Sequence, residues 1–231
     1  MKRILITRPE PGATQTAARL TKIGFQPVIA PMLTINSRQI RAPDYVAATL
    51  LTSRNSVAAC PPSLHGSPVF AVGAATANLA SKAGFRHVFS ADGDAGVLCK
   101  LVADKLSPEH GSLFLPTGQG QGIDFAASLR QRGFRVVRRV AYRADGVPVL
   151  PAAAAMSLRH GELAAALFFS GETSRHFARL VQAAELAEAV RGIEAVSISE
   201  RAAMPLRVLR WRRIRVAEKP NQDAMLVLLN D

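Results

Sequence analysis

The second half of this 231-residue chain repeats the first. Sliding the sequence along itself by 109 positions aligns Ile4–Thr7 with Leu113–Pro116, and Gly24 with Gly133, without a gap. Two further pairs of blocks match more loosely, namely Ala48–Ser53 with Ala165–Ser170 and Val69–Gly73 with Glu194–Ile198. The block order is therefore A, B, A′, B′. Such a duplication predicts two similar lobes, and clefts between domains are favoured ligand sites.

Within each block, short apolar runs alternate with segments that have helical spacing. Arg3–Thr7 is typical of a buried strand, Ala13–Ile23 carries an apolar helical stripe, and Gln26–Ala30 is the next strand. Gly24 is expected at the helix C′ position in the left-handed conformation. Strand–helix alternation predicts an α/β fold with two similar, doubly wound, flavodoxin-like lobes built on parallel sheets.

The same pattern extends along the rest of the chain. It predicts further strands at Thr49–Thr52, Val69–Val72, Val88–Phe89, Leu113–Leu115, Arg135–Val140, Ala166–Phe169, Ala195–Ile198 and Ile214–Val216. It predicts helices after Ser53 and at Ala75–Ala83, Phe125–Arg132, Thr173–Ala184, Ala202–Leu209 and Asp223–Leu229. The connections between lobes are expected at Pro31–Arg41 and Arg143–Pro151. The repeat alone allows block A to share a lobe with either B or B′.

The net charge of +12 predicts attraction to polyanions. Only 6% of the residues are aromatic, and no helix-turn-helix or zinc-finger spacing is present, so we expect no nucleic-acid partner. No apolar run approaches the roughly 20 residues that span a bilayer, and no signal peptide is evident. We therefore expect no membrane partner and a cytoplasmic, monomeric protein.

The sequence contains no recognisable constellation for cofactor or metal chemistry. Cys60 and Cys99 are far apart and are expected to be apolar core residues, and the five histidines lack metal-ligand spacing. The run Gly118–Gly122 is neither a dinucleotide fingerprint nor a P-loop. We expect an enzyme that works with no cofactor, metal or covalent nucleophile.

Small polar residues and glycines follow most of the predicted strands. Parallel sheets bind ligands beyond the carboxyl ends of their strands, where helix N-termini offer unpaired N–H groups to anions. Serine, threonine and asparagine are also ordinary helix caps, so one such loop alone does not define a site. Together these loops predict a site for a multiply charged anion at Thr7, Arg8, Ser53, Asn55, Gly73, Thr76, Thr117, Gly118, Ser170, Gly171, Arg175, Ser199 and Arg201.

The chain also resembles the uroporphyrinogen-III synthase family over nearly its whole length. The motifs that carry the resemblance are Ile4–Pro9, Gly24, Pro31, Leu51–Ser53 with Asn55 and Val57, Val69–Gly73 with Thr76-Ala77, Gly118, Leu129, Gly133, Val140–Tyr142, Phe168–Ser170, and Val216-Ala217 with Pro220. The resemblance implies two lobes joined by a two-stranded connector. It places residues 1–35 with 144–231 in the first lobe, and residues 36–143 in the second.

The resemblance further implies that the enzyme cyclises hydroxymethylbilane, a linear tetrapyrrole with eight carboxylates, while inverting the last ring. It assigns Tyr142 as a catalytic residue that assists loss of the hydroxyl group, and Thr76 as a residue lining the cleft. Relatives carry a pair of threonines where this chain has Arg201-Ala202, so Arg201 is expected to contact a carboxylate instead. The upstream deaminase is an expected transient partner. The alternatives are a non-catalytic, bilobed tetrapyrrole-binding protein and a basic nucleic-acid accessory protein.

Overall fold

The computed structural model describes residues Met1–Asn230 and has an α/β architecture with two sheets. The chain divides into two compact units. The first comprises Met1–Thr34 and the chain from Asp145 onward, and the second comprises Ile35–Ala144. Within Met1–Asn230, no helix has both the length and the apolarity that crossing a bilayer requires.

The first unit contains a five-stranded sheet whose neighbouring strands all run parallel. Its strands are β1 (Arg3–Ile6), β2 (Gln26–Ile29), β9 (Leu163–Phe168), β10 (Glu194–Ser197) and β11 (Arg213–Val216), in the spatial order β11-β10-β9-β1-β2. Its helices are α1 (Gly12–Lys22), α5 (Ala152–Arg159), α6 (Gly171–Ala183), α7 (Glu200–Ala203) and α8 (Gln222–Val227). Block A therefore shares a sheet with block B′.

Helices cover both faces of this sheet because successive side chains of a strand point to opposite sides. Leu5 packs into a core with α5 and α6, where Phe177 is fully buried. Its neighbours Ile4 and Ile6 pack into a second core with α1 and α8. A strand buried on both faces explains why β1 is a continuous apolar run after Arg3.

A six-stranded sheet in the order β3-β8-β7-β4-β5-β6 forms the second unit, except that β3 begins and β8 ends two residues outside its bounds. Its strands are β3 (Leu33–Ser37), β4 (Ala48–Leu51), β5 (Val69–Ala71), β6 (Val88–Ser90), β7 (Leu113–Gly118) and β8 (Val136–Gly146). Strands β4 to β8 pair in parallel. Its helices are α2 (Ala74–Lys82), α3 (Ala95–Lys105) and α4 (Ile123–Gln131), with α3 and α4 packed on one face of the sheet and α2 on the other.

Most predicted elements are present, with shifted ends and a few departures. Gly24 and Gly133 both adopt the predicted positive φ after a helix. The predicted helix over residues 202–209 is wrong: α7 ends at Ala203, and residues 204–208 form a 3₁₀ helix. Pro205 explains the change, because its ring clashes with the preceding helical turn and it lacks an N–H group. The two predicted connections between lobes also contain strand structure: β3 lies within Pro31–Arg41, and β8 extends into Arg143–Pro151.

Candidate functional site

In the first unit, the loops after β1, β9 and β10 lie side by side. The strands are adjacent and parallel, with Ile6 opposite Leu167 and Phe168 opposite Ser197, so their carboxyl ends meet at one edge. A Cβ on Gly171 would lie 3.1 Å from the backbone oxygen of Arg201, so the second and third loops are in contact. This edge contains seven of the predicted residues, which are Thr7, Arg8, Ser170, Gly171, Arg175, Ser199 and Arg201.

Two of the serines at this edge cap helices. The Ser170 hydroxyl accepts a hydrogen bond from the Thr173 N–H at 3.2 Å, and the Ser199 hydroxyl accepts one from the Ala202 N–H at 3.3 Å. Each cap satisfies one of the N–H groups that a helix leaves open at its start. Both serine hydroxyls therefore have a structural partner, and their role toward a ligand stays a prediction.

Thr7 and Arg8 also make contacts within the protein. Thr7 is fully buried, and its hydroxyl donates to the carbonyl of Leu167 at 2.6 Å, which ties β1 to β9. The Arg8 guanidinium lies 4.2 Å above the ring of Phe169, a distance typical of a cation–π contact. Its Nη1 also donates to Gln222 Oε1 at 3.3 Å. These contacts hold Arg8 against its own unit and fix the direction of its side chain.

The other two predicted arginines at this edge are exposed to solvent. Arg175 lies on α6 and forms an ion pair with Glu172 at 2.7 Å, one helical turn earlier. Exposed pairs of this kind contribute little, typically about 0–1 kcal/mol, so Arg175 exchanges partners at low cost. Arg201 lies in the first turn of α7, with its side chain exposed.

In the second unit, the loops after β7, β4 and β5 form an equivalent edge. Thr49 is opposite Phe114 and Leu51 is opposite Ala71, so the ends of the three strands again lie side by side. This edge and the adjacent strand β8 contain the other seven predicted residues, which are Ser53, Asn55, Gly73, Thr76, Thr117, Gly118 and Tyr142.

The N-terminus of α2 already binds a carboxylate of the protein. Gly73 precedes the helix and offers no capping side chain, and Thr76 in the first turn is buried. Asp92 Oδ1 accepts a hydrogen bond from the Ala74 N–H at 3.1 Å and another from the Ser90 hydroxyl at 2.7 Å. Asp92 was not among the predicted residues, because it follows the neighbouring strand β6. The contact demonstrates that this helix start accepts a carboxylate.

The loop after β4 is capped in a simpler way. The Ser53 hydroxyl accepts a hydrogen bond from the Asn55 N–H at 3.2 Å, and residues 54–59 form a 3₁₀ helix. Thr117, at the end of β7, is 1% exposed, and its Oγ1 has no hydrogen-bond partner among the described residues. Burying a hydroxyl without a hydrogen-bond partner costs folding free energy, so the Thr117 hydroxyl is an unsatisfied polar group at this edge.

A β-bulge positions Tyr142. Thr117 of β7 is opposite Val140 of β8, but the next residue, Gly118, is opposite Tyr142, so Ala141 is an extra residue on β8. Bulges change the direction of a side chain and are found next to active sites. Tyr142 is only 3% exposed, and its hydroxyl donates to Gln121 Oε1 at 2.9 Å.

Gly118 allows this hydrogen bond to form. A Cβ at residue 118 would lie 2.8 Å from Tyr142 Cζ and 2.8 Å from Gln121 Oε1. The bond therefore passes directly over the Gly118 Cα. We call Gly118, Gln121 and Tyr142 the tyrosine cluster. Gln121 was not among the predicted residues; its only sequence signal is its position between Gly120 and Gly122, which both have positive φ.

Both cysteines are free thiols that lie at least partly inside the second unit. Cys99 is buried in the core, as predicted, whereas Cys60 is only partly buried. Burial raises the pKa of the Cys60 thiol to about 12, so the thiolate is scarce at neutral pH. Cys60 borders a surface cavity of about 430 Å³ between residues 37–40 and 58–62 that includes none of the predicted site residues. Within residues 1–230, no group of three or more His, Cys, Asp or Glu side chains is arranged to hold a metal ion.

Solved structures of similar fold are uroporphyrinogen-III synthases. The structure of the Helicobacter pylori 26695 uroporphyrinogen-III synthetase aligns with a TM-score of 0.67 at 16% identity, covering 100% of this chain and 99% of that one. A mutant uroporphyrinogen III synthase from the extremely thermophilic bacterium Thermus thermophilus aligns with a TM-score of 0.52 at 19% identity, covering 100% and 98%. At these identities the likeness establishes a shared fold. No curated protein sequence matches the chain significantly.

A match to a protein family covers most of the sequence. The family described as uroporphyrinogen-III synthase HemD matches residues 14–227, and this range includes both strand-edge loop groups except Thr7 and Arg8. The fold likeness and the family match agree over residues 14–227. The chain therefore belongs to the uroporphyrinogen-III synthase family.

Proposed function

We propose that this protein cyclises hydroxymethylbilane to uroporphyrinogen III, and that the tyrosine cluster acts at the reacting centre. The family match over residues 14–227 is the observation that carries the assignment, since members of this family are cyclising lyases acting on a tetrapyrrole. The carbon–oxygen bond of the terminal hydroxymethyl group breaks, and the hydroxyl leaves as water after taking up a proton. The resulting azafulvene cation is attacked by the last ring, which inverts through a spiro intermediate before the macrocycle closes and a ring proton is lost.

Tyr142 supports this chemistry in one of two ways. Its phenol either donates a hydrogen bond to the departing hydroxyl or stabilises the cation left behind, through its oxygen or its ring face. The burial of the ring favours both roles, because a buried group interacts more strongly with a developing charge than one in water does.

The substrate's eight carboxylates are bound by many weak sites. The support comes from the helix N-termini at the strand edge within each unit, where Gly73, Ser170 and Ser199 are the N-cap residues. The contact of Asp92 with the Ala74 N–H is an internal example of such a bond. Each charge-assisted hydrogen bond contributes roughly 1.5–3 kcal/mol, so we expect no single loop to dominate affinity. Arg175 and Arg201 are the exposed cations best suited to assist.

The decisive assay generates hydroxymethylbilane in situ with the upstream deaminase and separates the uroporphyrin isomers after oxidation. We expect chelator-treated protein to yield isomer III, whereas spontaneous ring closure yields isomer I. A protein that binds the bilane yet leaves only isomer I would be a binding protein, and the synthase assignment would fail.

The same mixture tests the deaminase as a transient partner, because a direct contact would make the yield of isomer III insensitive to dilution of the synthase.

Tyr142→Phe measures the contribution of the phenol. We expect kcat to fall roughly 10-fold or more, a loss within the range of general acid assistance. The fold should remain intact because the ring that packs against the unit is retained. Tyr45→Phe is the matched control, since Tyr45 is the second of the two tyrosines and is 71% exposed. A Tyr142→Phe variant within twofold of the parent would restrict Tyr142 to packing.

We also propose that the protein acts as a cytoplasmic monomer. The proposal rests on the family and on the two compact units, each of which has its own cores. Light scattering coupled to gel filtration should give a mass near 24.7 kDa at all concentrations tested. A mass that doubles with concentration would contradict it.

A further inference from the structure

We propose that Gln121 is a positioning residue that makes Tyr142 a stabiliser of positive charge instead of a proton donor. The inference rests on the proposed function, in which Tyr142 acts at the reacting centre. A phenol carries one proton and two lone pairs. In this structure that proton is directed to Gln121 Oε1, 2.9 Å away. The lone pairs of the phenol oxygen remain available to face the cation or to accept a hydrogen bond from a pyrrole N–H.

The backbone around Gln121 is held firmly enough to fix this arrangement. The Gln121 N–H donates to the Gly118 carbonyl at 3.0 Å, and the Gln121 carbonyl accepts from Arg138 Nη1 at 3.1 Å. The Gln119 N–H donates to the Tyr142 carbonyl at 3.0 Å, so the loop is tied to the strand that carries the tyrosine. These backbone hydrogen bonds hold Gln121, whose amide oxygen is the acceptor, close to Tyr142, whose phenol is the donor.

The chemistry of the acceptor explains why this matters for a cation. Donating its proton to a carbonyl increases the electron density on the phenol oxygen, since hydrogen bonds polarise one another in a chain. The negative end of the O–H dipole then points away from Gln121. A dipole fixed in advance toward a developing charge needs no reorganisation during the reaction. The proton that converts the departing hydroxyl into water comes from solvent in this scheme.

Gln121 is otherwise an ordinary surface side chain, which makes the test clean. It is exposed, and Gln119 lies two positions away on the same loop with an exposed side chain of the same type. Gln121→Ala removes the acceptor, Gln121→Glu keeps an acceptor of equal length, and Gln119→Ala is the matched control. Gln121→Glu and Gln119→Ala should unfold within roughly 2 °C of the parent, as expected for surface substitutions. Gln121→Ala also loses the hydrogen bond from the phenol, worth roughly 0.5–1.5 kcal/mol, so it should melt roughly 1–6 °C lower.

The kinetic test depends on the sign of the change in kcat. If Gln121 positions the phenol as an acceptor, Gln121→Ala lowers kcat roughly 3- to 10-fold with KM nearly unchanged. Gln121→Glu keeps kcat but raises KM, because an added carboxylate repels a polycarboxylate substrate. If Tyr142 is instead a proton donor, Gln121→Ala releases its proton, and kcat rises or stays constant. A kcat loss of less than threefold, or any rise, overturns the proposal.

A double-substitution cycle tests whether Gln121 acts through Tyr142. In the Tyr142→Phe background, Gln121→Ala should lower kcat no further, since the hydroxyl it positions is gone. An equal loss in both backgrounds would mean that Gln121 acts on the substrate directly, which also overturns the proposal.

A spectroscopic measurement tests the hydrogen bond without any assay of activity. Tyrosine labelled with carbon-13 at Cζ gives a single resonance from Tyr142 in a Tyr45→Phe protein, because the chain has only two tyrosines. That resonance should shift in Gln121→Ala and stay in place in Gln119→Ala. A resonance unmoved by Gln121→Ala would remove the basis of the inference.

If the wild type produced only isomer I, the proposed function would fail, and this measurement would still report on the hydrogen bond between Tyr142 and Gln121. If isomer III formed but Tyr142→Phe were fully active, the present inference would fail while the synthase assignment stood.

Discussion

Substituting Gly118 by alanine should destabilise the second unit through a single steric contact. The added Cβ would lie 2.8 Å from Tyr142 Cζ and 2.8 Å from Gln121 Oε1. Contacts this short require a neighbour to move, and the two neighbours differ in their freedom to do so. The exposed Gln121 side chain can swing away, whereas Tyr142 is held by its surroundings, because only 3% of its surface is exposed.

The magnitude follows from these two responses. Forcing extra volume against a packed ring typically costs about 1–3 kcal/mol. Displacing Gln121 loses the hydrogen bond to the phenol, worth roughly 0.5–1.5 kcal/mol. The sum of roughly 1.5–4.5 kcal/mol lowers the melting temperature by roughly 3–18 °C in a chain of this length. The φ of Gly118 lies outside the left-handed region, so backbone strain adds nothing to this cost.

Thermal unfolding followed by circular dichroism measures the effect, with Gly66→Ala as the matched control. Gly66 lies in the same unit, has an ordinary φ, and has no atom within 4 Å of the position its Cβ would occupy. We expect Gly66→Ala to melt within roughly 2 °C of the parent. If Gly118→Ala melted at the same temperature as Gly66→Ala, the close contact among Gly118, Gln121 and Tyr142 would not exist in solution.

Three further predictions concern charge and pH. Asp92→Ala removes the carboxylate bound at the start of α2, so we expect KM for the bilane to fall roughly 2- to 5-fold at low salt. Asp104→Ala is the control, because it changes the net charge by the same amount. An equal fall in KM for Asp104→Ala would show that net charge, and not the N-terminus of α2, causes the change. Because affinity is shared among exposed charges, raising salt from about 0.05 to 0.3 M should raise KM severalfold, and a KM independent of salt would contradict the shared-site proposal. Burial raises the pKa of Cys60 from 9.0 to about 12, so its contribution to stability is complete below pH 9 and is lost as the pH rises through that interval. Urea unfolding should therefore show a decline in that pH range that is smaller in Cys60→Ala; identical profiles would contradict the shifted pKa.

Much of the local structure could be predicted because its signals are local. The apolar run at β1 and the helix before Gly24 were recognised from spacing and from the need for a positive φ. Helix α3 was missed, although Asp94 caps it by accepting hydrogen bonds from the Gly96 and Val97 N–H groups. The cap and the helical spacing of Val97, Leu98, Leu101 and Val102 are together a sequence signal for this helix.

The candidate site was predicted less completely. The loops at the strand ends were predicted from the fold class, since parallel strands end at a common edge. Sequence spacing did not reveal that Thr7 is buried against Leu167, a residue 160 positions away. Nor did it indicate that Asp92 would reach the start of α2 from the loop after a neighbouring strand.

The sequence by itself determined the alternation of strands and helices, the duplication and the family, because apolar runs, turn glycines and motif order are all readable along one dimension. The repeat alone left open which blocks share a sheet; the family resemblance implied that block A lies with block B′, and the strand order of the tertiary structure shows this arrangement. Blocks A and A′ carry equivalent strands, so either could pair with B or B′, and the pairing of β1 with β9 depends on the packing of both cores at once. The tertiary structure also brings together the three residues of the tyrosine cluster. One extra residue in the register of β8 brings Tyr142 opposite Gly118, and that shift arises from strand pairing, which no local pattern encodes.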